Sequence, residues 1–212
     1  MTLGDALGLS DPQERALTRT LQTVLGGLAV YGAGTFQWGI ALNGAFALAI
    51  TLLPAAIRRE YGYAMDPGLV LWITVALVLN AVGLLGVYAQ YQWYDEVTHT
   101  VSATIVAGLG YAAFRAFEAH SPEVDVPSTF RAAFVVVFVL AAGVVWELLE
   151  FGSELLAEVT GLAPLTVYGI DDIVTDMVFN AVGAVLVALW GSGYVDGLVS
   201  FFRRRLRAEN DA

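Results

Sequence analysis

Three long stretches of this chain contain no Asp, Glu, Lys or Arg: Thr20 to Ile57, Pro67 to Tyr94 and Met177 to Val195. A fourth, Val97 to Phe114, follows a short polar entry. One crossing of a bilayer core needs about 20 mostly apolar residues, so runs of this kind define a polytopic membrane protein. Composition agrees, with 58% hydrophobic and only 14% charged residues and a mean hydropathy of +0.68. Thr20–Ile57 is too long for one span and divides at the Gly-rich "GAGTFQWG" of 32–39. The expected helices cover about 18–35, 38–57, 67–89, 95–117, 129–151 and 171–191.

Arginine supplies the orientation. All ten basic residues are Arg. Arg15 and Arg19 precede the first helix, and Arg58 and Arg59 follow the second. Arg115 and Arg131 flank the fourth loop, and Arg203, Arg204, Arg205 and Arg207 follow the last helix. Six spans put the whole set on one side, which the positive-inside rule makes cytoplasmic, whereas five or seven would split it. The expected fold is therefore all-α, a six-span bundle in the inner (cytoplasmic) membrane with both termini cytoplasmic. It comprises a tail (1–17), a transmembrane domain (18–191) and a basic, partly amphipathic tail (192–212) suited to the membrane surface. The acidic N-terminus lacks an apolar core and does not read as a cleaved signal peptide.

Several chemistries are excluded. With no cysteine there is no disulfide, thiolate metal site or Fe–S cluster. With no lysine there is no Schiff base and hence no retinal. The two histidines, His99 and His120, fall at opposite faces, which excludes a haem held by paired axial histidines. A net charge of −10 argues against nucleic acid as a partner. Combined with the lack of lysine, it suits a salt-loving organism.

Three motifs then converge at the outer face. In "WYDEVTHT", Asp95 and His99 are four residues apart and share a helix face, next to Glu96. In "WELLEFGSELL", Glu147, Glu150 and Glu154 share another. In "DDIVTDMVFN", Asp172, Asp176 and Asn180 recur every fourth residue. Two carboxylates about 4 Å apart repel by about 4 kcal/mol at an effective dielectric near 20, and no arginine stands nearby. A divalent cation (Mg²⁺, Mn²⁺ or Zn²⁺) held by Asp95, His99, Glu147, Asp172 and Asp176 resolves this. Glu150 is then the candidate general base, and Asn180 orients substrate or ligand. Other roles compete for some of these residues. Asp95 and Asp171 stand where N-caps are expected, and Glu154 and Glu158 read as a solvated loop surface. Trp93, Tyr94 and Trp146 read as interfacial aromatics, while "GLLG" at 83–86 reads as a close-packing surface.

The order of these motifs resembles VanZ-like membrane proteins, and more closely the YjdF-like branch of uncharacterised prokaryotic inner-membrane proteins. The likeness rests on Trp93-Tyr94-Asp95 with His99, Trp146-Glu147, and Asp171-Asp172 with Asp176 and Asn180, and extends over about residues 20–190. VanZ-like proteins are associated with resistance to a glycopeptide antibiotic, and the YjdF-like branch brings no activity to carry over. Where VanZ-like proteins often follow the first Asp with a basic residue, this chain has Glu96. Three functions fit the pattern. The leading one is a metal-dependent hydrolase or transferase acting on a lipid head group or lipid-linked substrate, with membrane lipids as partners. The others are a proton- or cation-coupled transporter and a structural protein whose polar cluster locks the helices.

Overall fold

The computed structural model describes residues 8–121, 123, 126–161, 165, 169–190 and 195–210. Residues 1–7 of the expected N-terminal tail, part of the polar loop after His120, and residues 191–194 and 211–212 of the C-terminal region lie outside the described residues. Among the described residues there are helices and no strands. The helices are α1 (Asp11–Gly34), α2 (Trp38–Tyr61), α3 (Pro67–Gln90), α4 (Gln92–His120), α5 (Ser128–Thr160), α6 (Ile170–Trp190) and α7 (Asp196–Asn210). Five of them, α2 to α6, are long and apolar enough to cross a membrane. The protein is an all-helical, multi-pass membrane protein.

Most of these helices run past the expected limits. α1 starts at Asp11 rather than 18, where Ser10 presents its backbone N–H to Gln13 Oε1 at 2.9 Å and Pro12 occupies the first turn. α5 has 33 residues, about 50 Å at 1.5 Å per residue, and continues to Thr160 rather than 151. Loss of hydropathy marks where a helix leaves lipid; capping residues mark where it stops. The stop at α5 is Gly161 in the left-handed region, φ 73°, a conformation that suits glycine. Glu154 and Glu158 therefore sit on helix rather than loop.

α1 and α2 form an antiparallel hairpin built on glycine. A Cβ at Gly32 would stand 2.5 Å from the Ala41 nitrogen, and one at Gly44 would stand 2.9 Å from the Ala29 nitrogen. Backbones thus meet at two levels, with Leu25 fully buried between them against Ala47 and Ala81. α4 and α6 run parallel and pack just as closely, because a Cβ at Gly183 would lie 2.6 Å from the Thr100 carbonyl oxygen and 2.7 Å from Ala103 Cβ. Small residues suit this environment. Lipid tails are as apolar as leucine, so helices associate through close packing rather than the hydrophobic effect. The main core continues this contact through Ala103, Ala107, Val135, Val139, Ala184 and Val187.

All ten arginines gather at one end of the bundle, on α1, the end of α2, the facing ends of α4 and α5, and α7. There Glu118 accepts from Arg115 on its own helix and from Arg131 on α5 at 3.3 Å, clipping α4 to α5. α7 does not stand apart as a surface tail. Leu198 and the preceding Val195 join the main core, Phe201 stacks on Tyr63 at 4.6 Å, and the Arg205 guanidinium lies 3.9 Å over the Tyr61 ring.

The Gly183 contact generates a prediction. Gly183→Ala forces α6 away from α4 and lowers stability by about 1–3 kcal/mol, the usual cost of overpacking. Gly152→Ala, where an added Cβ meets nothing within 4 Å, is the control. Melting curves in detergent that coincide for the two variants would contradict this packing.

Candidate functional site

The end opposite the arginines is built by the N-termini of α4 and α6 and the C-terminal half of α5. α4 begins at Gln92, after Tyr91 in extended conformation, so Asp95 lies within the first turn instead of capping it. α6 begins at Ile170, which likewise puts Asp171 and Asp172 inside its first turn. The N-cap roles considered for Asp95 and Asp171 therefore do not hold, because each helix starts before its acid. Both helices direct the positive end of their macrodipole here, which favours carboxylates.

Periodicity of four then brings three side chains together. His99 Nε2 stands 3.5 Å from Asp95 Oδ1, one turn back on α4, and 3.5 Å from Asp176 Oδ1 on α6. The side chains are 12%, 13% and 3% exposed respectively. One donor atom from each of the three lies within 4.8 Å of the other two. Both contacts exceed the 2.7–3.2 Å of an N–H···O bond. They also converge on one nitrogen, which carries at most one proton. Asp172 comes within hydrogen-bonding reach of Asp95, and Asn180 within reach of His99.

α5 supplies the third wall. Its buried face runs Gly143, Glu147, Glu150, Ser153. Glu150 accepts a hydrogen bond from the Trp146 indole N–H at 2.9 Å, so this tryptophan has a polar duty beyond interfacial anchoring. Glu147 is 7% exposed, and neither of its oxygens has a hydrogen-bond partner among the described residues. It lies within electrostatic reach of Asp95 and Asp172. Gly143 makes room for the neighbouring wall, since a Cβ there would stand 2.8 Å from Asn180 Nδ2 and 2.6 Å from Met177 Cε. Ser153 Oγ ties down the chain beyond α5, donating to the Leu165 carbonyl and accepting from its N–H, each at 3.1 Å.

All seven residues singled out from the sequence for metal or catalytic roles thus fall in one neighbourhood. Other acids in and beside these motifs are less enclosed: Asp171 and Glu158 are exposed, and Glu96 and Glu154 are half-buried.

One participant was missed. The glycines of "GLLG" do not pack two helices together; they interrupt α3 with a π turn at Gly83–Val87, where Gly86 adopts φ 100°. Such turns occur often at functional sites. The Tyr88 ring folds onto Gly83, where a Cβ would come within 2.1 Å of it. Tyr88 then reaches Thr98 and the vicinity of Asp95. Asn80 Nδ2 donates to its hydroxyl at 3.4 Å, and Asn43 on α2 donates to Asn80 at 3.2 Å. The available signal was two glycines three apart inside an apolar span, followed by a tyrosine.

A multi-pass helical membrane protein with a buried Asp–His–Asp group at one end is the class this fold and site define. The family model described as "Predicted membrane protein (DUF2238)" matches residues 16–197, and the chain belongs to that family. No curated protein and no solved structure matches it.

The π turn yields its own test. Gly83→Ala should lose about 1–3 kcal/mol, because the added methyl displaces the Tyr88 ring. In a Tyr88→Ala background the same change should cost little, giving a coupling within the 0.5–3 kcal/mol expected of touching residues. Equal losses in both backgrounds would mean that the ring does not rest on Gly83.

Proposed function

We propose that this protein spans the membrane six times with both termini in the cytoplasm, and that its acidic end is an outward-facing divalent-metal centre acting on lipid head groups. The topology rests first on α1. Its helix is less apolar than the other five because of Thr18, Thr20, Thr23 and Gln22. The three threonine hydroxyls donate to the carbonyl four residues back. Gln22 Nε2 donates across the hairpin to the Thr51 carbonyl oxygen at 3.2 Å. Groups already satisfied within protein cost little in lipid, so α1 can accompany α2 through the bilayer. Six crossings put every arginine on the cytoplasmic side.

The observation that carries the metal reading is the convergence of two carboxylate oxygens on one imidazole nitrogen at equal, longer-than-hydrogen-bond distances. Donors about 2.1 Å from a shared tetrahedral ion stand roughly 3.4 Å apart, close to the 3.5 Å seen here. Asp95, His99 and Asp176 would hold the ion, with Asp172 beside them and Asn180 fixing the imidazole as outer-shell partners do. One nitrogen among oxygens suits Mn²⁺ or Zn²⁺, with Mg²⁺ also compatible.

Such an ion polarises a phosphoryl or carbonyl oxygen and acidifies bound water. Glu150, held by Trp146, is the group that takes the proton. Next to the buried face of α5, Val144, Val145, Leu148 and Leu149 are exposed. On a spanning helix these positions meet lipid, so a head group is the substrate with the shortest approach. The motif likeness to VanZ-like and YjdF-like proteins is compatible with this reading and adds no substrate to it.

Two measurements test these proposals. The natural chain has no cysteine, so single replacements report topology without background. An impermeant maleimide applied to intact cells should label Phe36→Cys and spare both Asp11→Cys and Ala208→Cys. Labelling of Asp11→Cys together with Phe36→Cys, with Ala208→Cys still spared, would leave α1 out of the membrane. For the site, elemental analysis of protein purified in metal-free buffer should find metal in wild type. In His99→Ala and Asp176→Asn, affinity should fall by at least roughly 10-fold, the scale for losing even an outer-shell partner. Protein in nanodiscs should then convert phospholipid in a chelator-sensitive way. Absence of metal after re-addition of Mn²⁺, Zn²⁺ or Mg²⁺ would reduce the cluster to a helix lock. Bound metal with unaltered lipid would remove the enzymatic half of the proposal.

A further inference from the structure

The Asp95–His99–Asp176 group leaves one feature of the acidic end without a chemical explanation. Glu147 is 7% exposed, and both its oxygens lack a hydrogen-bond partner among the described residues. Protonation alone does not repair this. A neutral carboxyl is itself an O–H donor and needs an acceptor, and neither oxygen has a hydrogen-bond partner among the described residues. Nor does Glu147 belong to the compact three-residue group, whose donor atoms come only from Asp95, His99 and Asp176.

Its surroundings point to a cation. Glu147 lies on the buried face of α5, one turn beyond Gly143, where α5 closes on Asn180 of α6. The charged groups within electrostatic reach are Asp95 on α4, Asp172 and Asp176 on α6, and Glu150 on its own helix. All are carboxylates. Every arginine lies at the opposite end of the bundle and the chain has no lysine. His99 is thus the one side chain there able to carry a positive charge against them, and it faces Asp95 and Asp176 rather than Glu147. One divalent ion at the His99 group offsets two of these five charges and leaves three.

We infer that Glu147 marks a second cation position, held by Glu147 and Asp172 and adjoining the His99 position through the Asp95–Asp172 contact. This rests on the metal reading of the His99 group and extends it from one ion to a pair. The ligand class narrows accordingly. Two divalent ions about 3.5–4 Å apart form a clamp for the oxygens of a phosphoryl group, so the pair fits a phosphate- or pyrophosphate-bearing head group better than a carbonyl substrate. A lipid and a free phosphate ester share that chemistry.

Equilibrium dialysis of the full chain in detergent against Mn²⁺, followed by metal analysis and electron paramagnetic resonance, tests the pair. Wild type should bind two Mn²⁺ per chain with an exchange-coupled spectrum. Glu147→Gln should bind one, with the uncoupled six-line signal, and Glu147→Asp, which keeps a carboxylate, should bind the second ion at least tenfold more weakly. Unchanged melting curves certify that the variants are folded. One Mn²⁺ in wild type, kept in Glu147→Gln and lost in His99→Ala, would overturn the second position while sparing the first. Two Mn²⁺ retained in Glu147→Gln would overturn the assignment to Glu147. None in wild type would overturn the metal reading on which the pair depends. If two bind, competition by glycerol phosphate and by vesicles containing phosphatidic acid separates a soluble ester from a lipid as the preferred ligand.

Discussion

Gly183 lets the backbone of α6 settle against the Thr100 carbonyl of α4, and the polar groups at the acidic end take their positions from that approach. The two helices run in the same direction, so their first turns arrive side by side and carry Asp95 and His99 against Asp176 and Asn180. A wider separation would leave the imidazole facing its own helix alone. Gly143 does the same for α5, admitting Asn180 and Met177 where any side chain would stand in their way. The polar chemistry of this protein therefore rests on places where side chains are missing.

Charge divides along the same axis. One end gathers every arginine, tied by Glu118 to Arg115 and Arg131 and by Arg205 to Tyr61. The other gathers buried carboxylates whose company is a histidine, an amide, an indole and two helix N-termini. Helix dipoles supply only about half an elementary charge each, too little for five acids. At the arginine end Glu118 and Tyr61 meet three of the arginines directly, whereas the acidic end gathers its carboxylates around a single imidazole.

Much of this can be read from sequence, and the reasons are specific. α2 to α6 appear as uncharged runs because lipid excludes charge over their length. Asp95, His99, Asp176 and Asn180 appear through spacing of four, since helical neighbours on one face are also neighbours in sequence. Helix ends do not appear in this way: α5 continues past Phe151 on a turn chemistry that hydropathy ignores. α1 is legible as a helix but not in its start, because its first turns from Asp11 lie ahead of the uncharged run and are set by Ser10, Gln13 and Pro12. Tyr88 hides for a different reason, because its place depends on a break in the helix rather than on its spacing from any other site residue.

That break has an arithmetic consequence. A π turn spaces its hydrogen bonds one residue further apart than an α-helix does, and each residue of an α-helix advances about 100°. With Gly86 breaking the helical course inside that turn, Tyr88 emerges in a direction that an uninterrupted α3 would not give it. Removing a single residue between Gly83 and Val87 would restore the regular count, swing the phenol off the bare face of Gly83, and break the line that joins Asn43 and Asn80 to Thr98. Composition and hydropathy would hardly change. Chain length across these five residues thus sets where the phenol stands relative to Gly83.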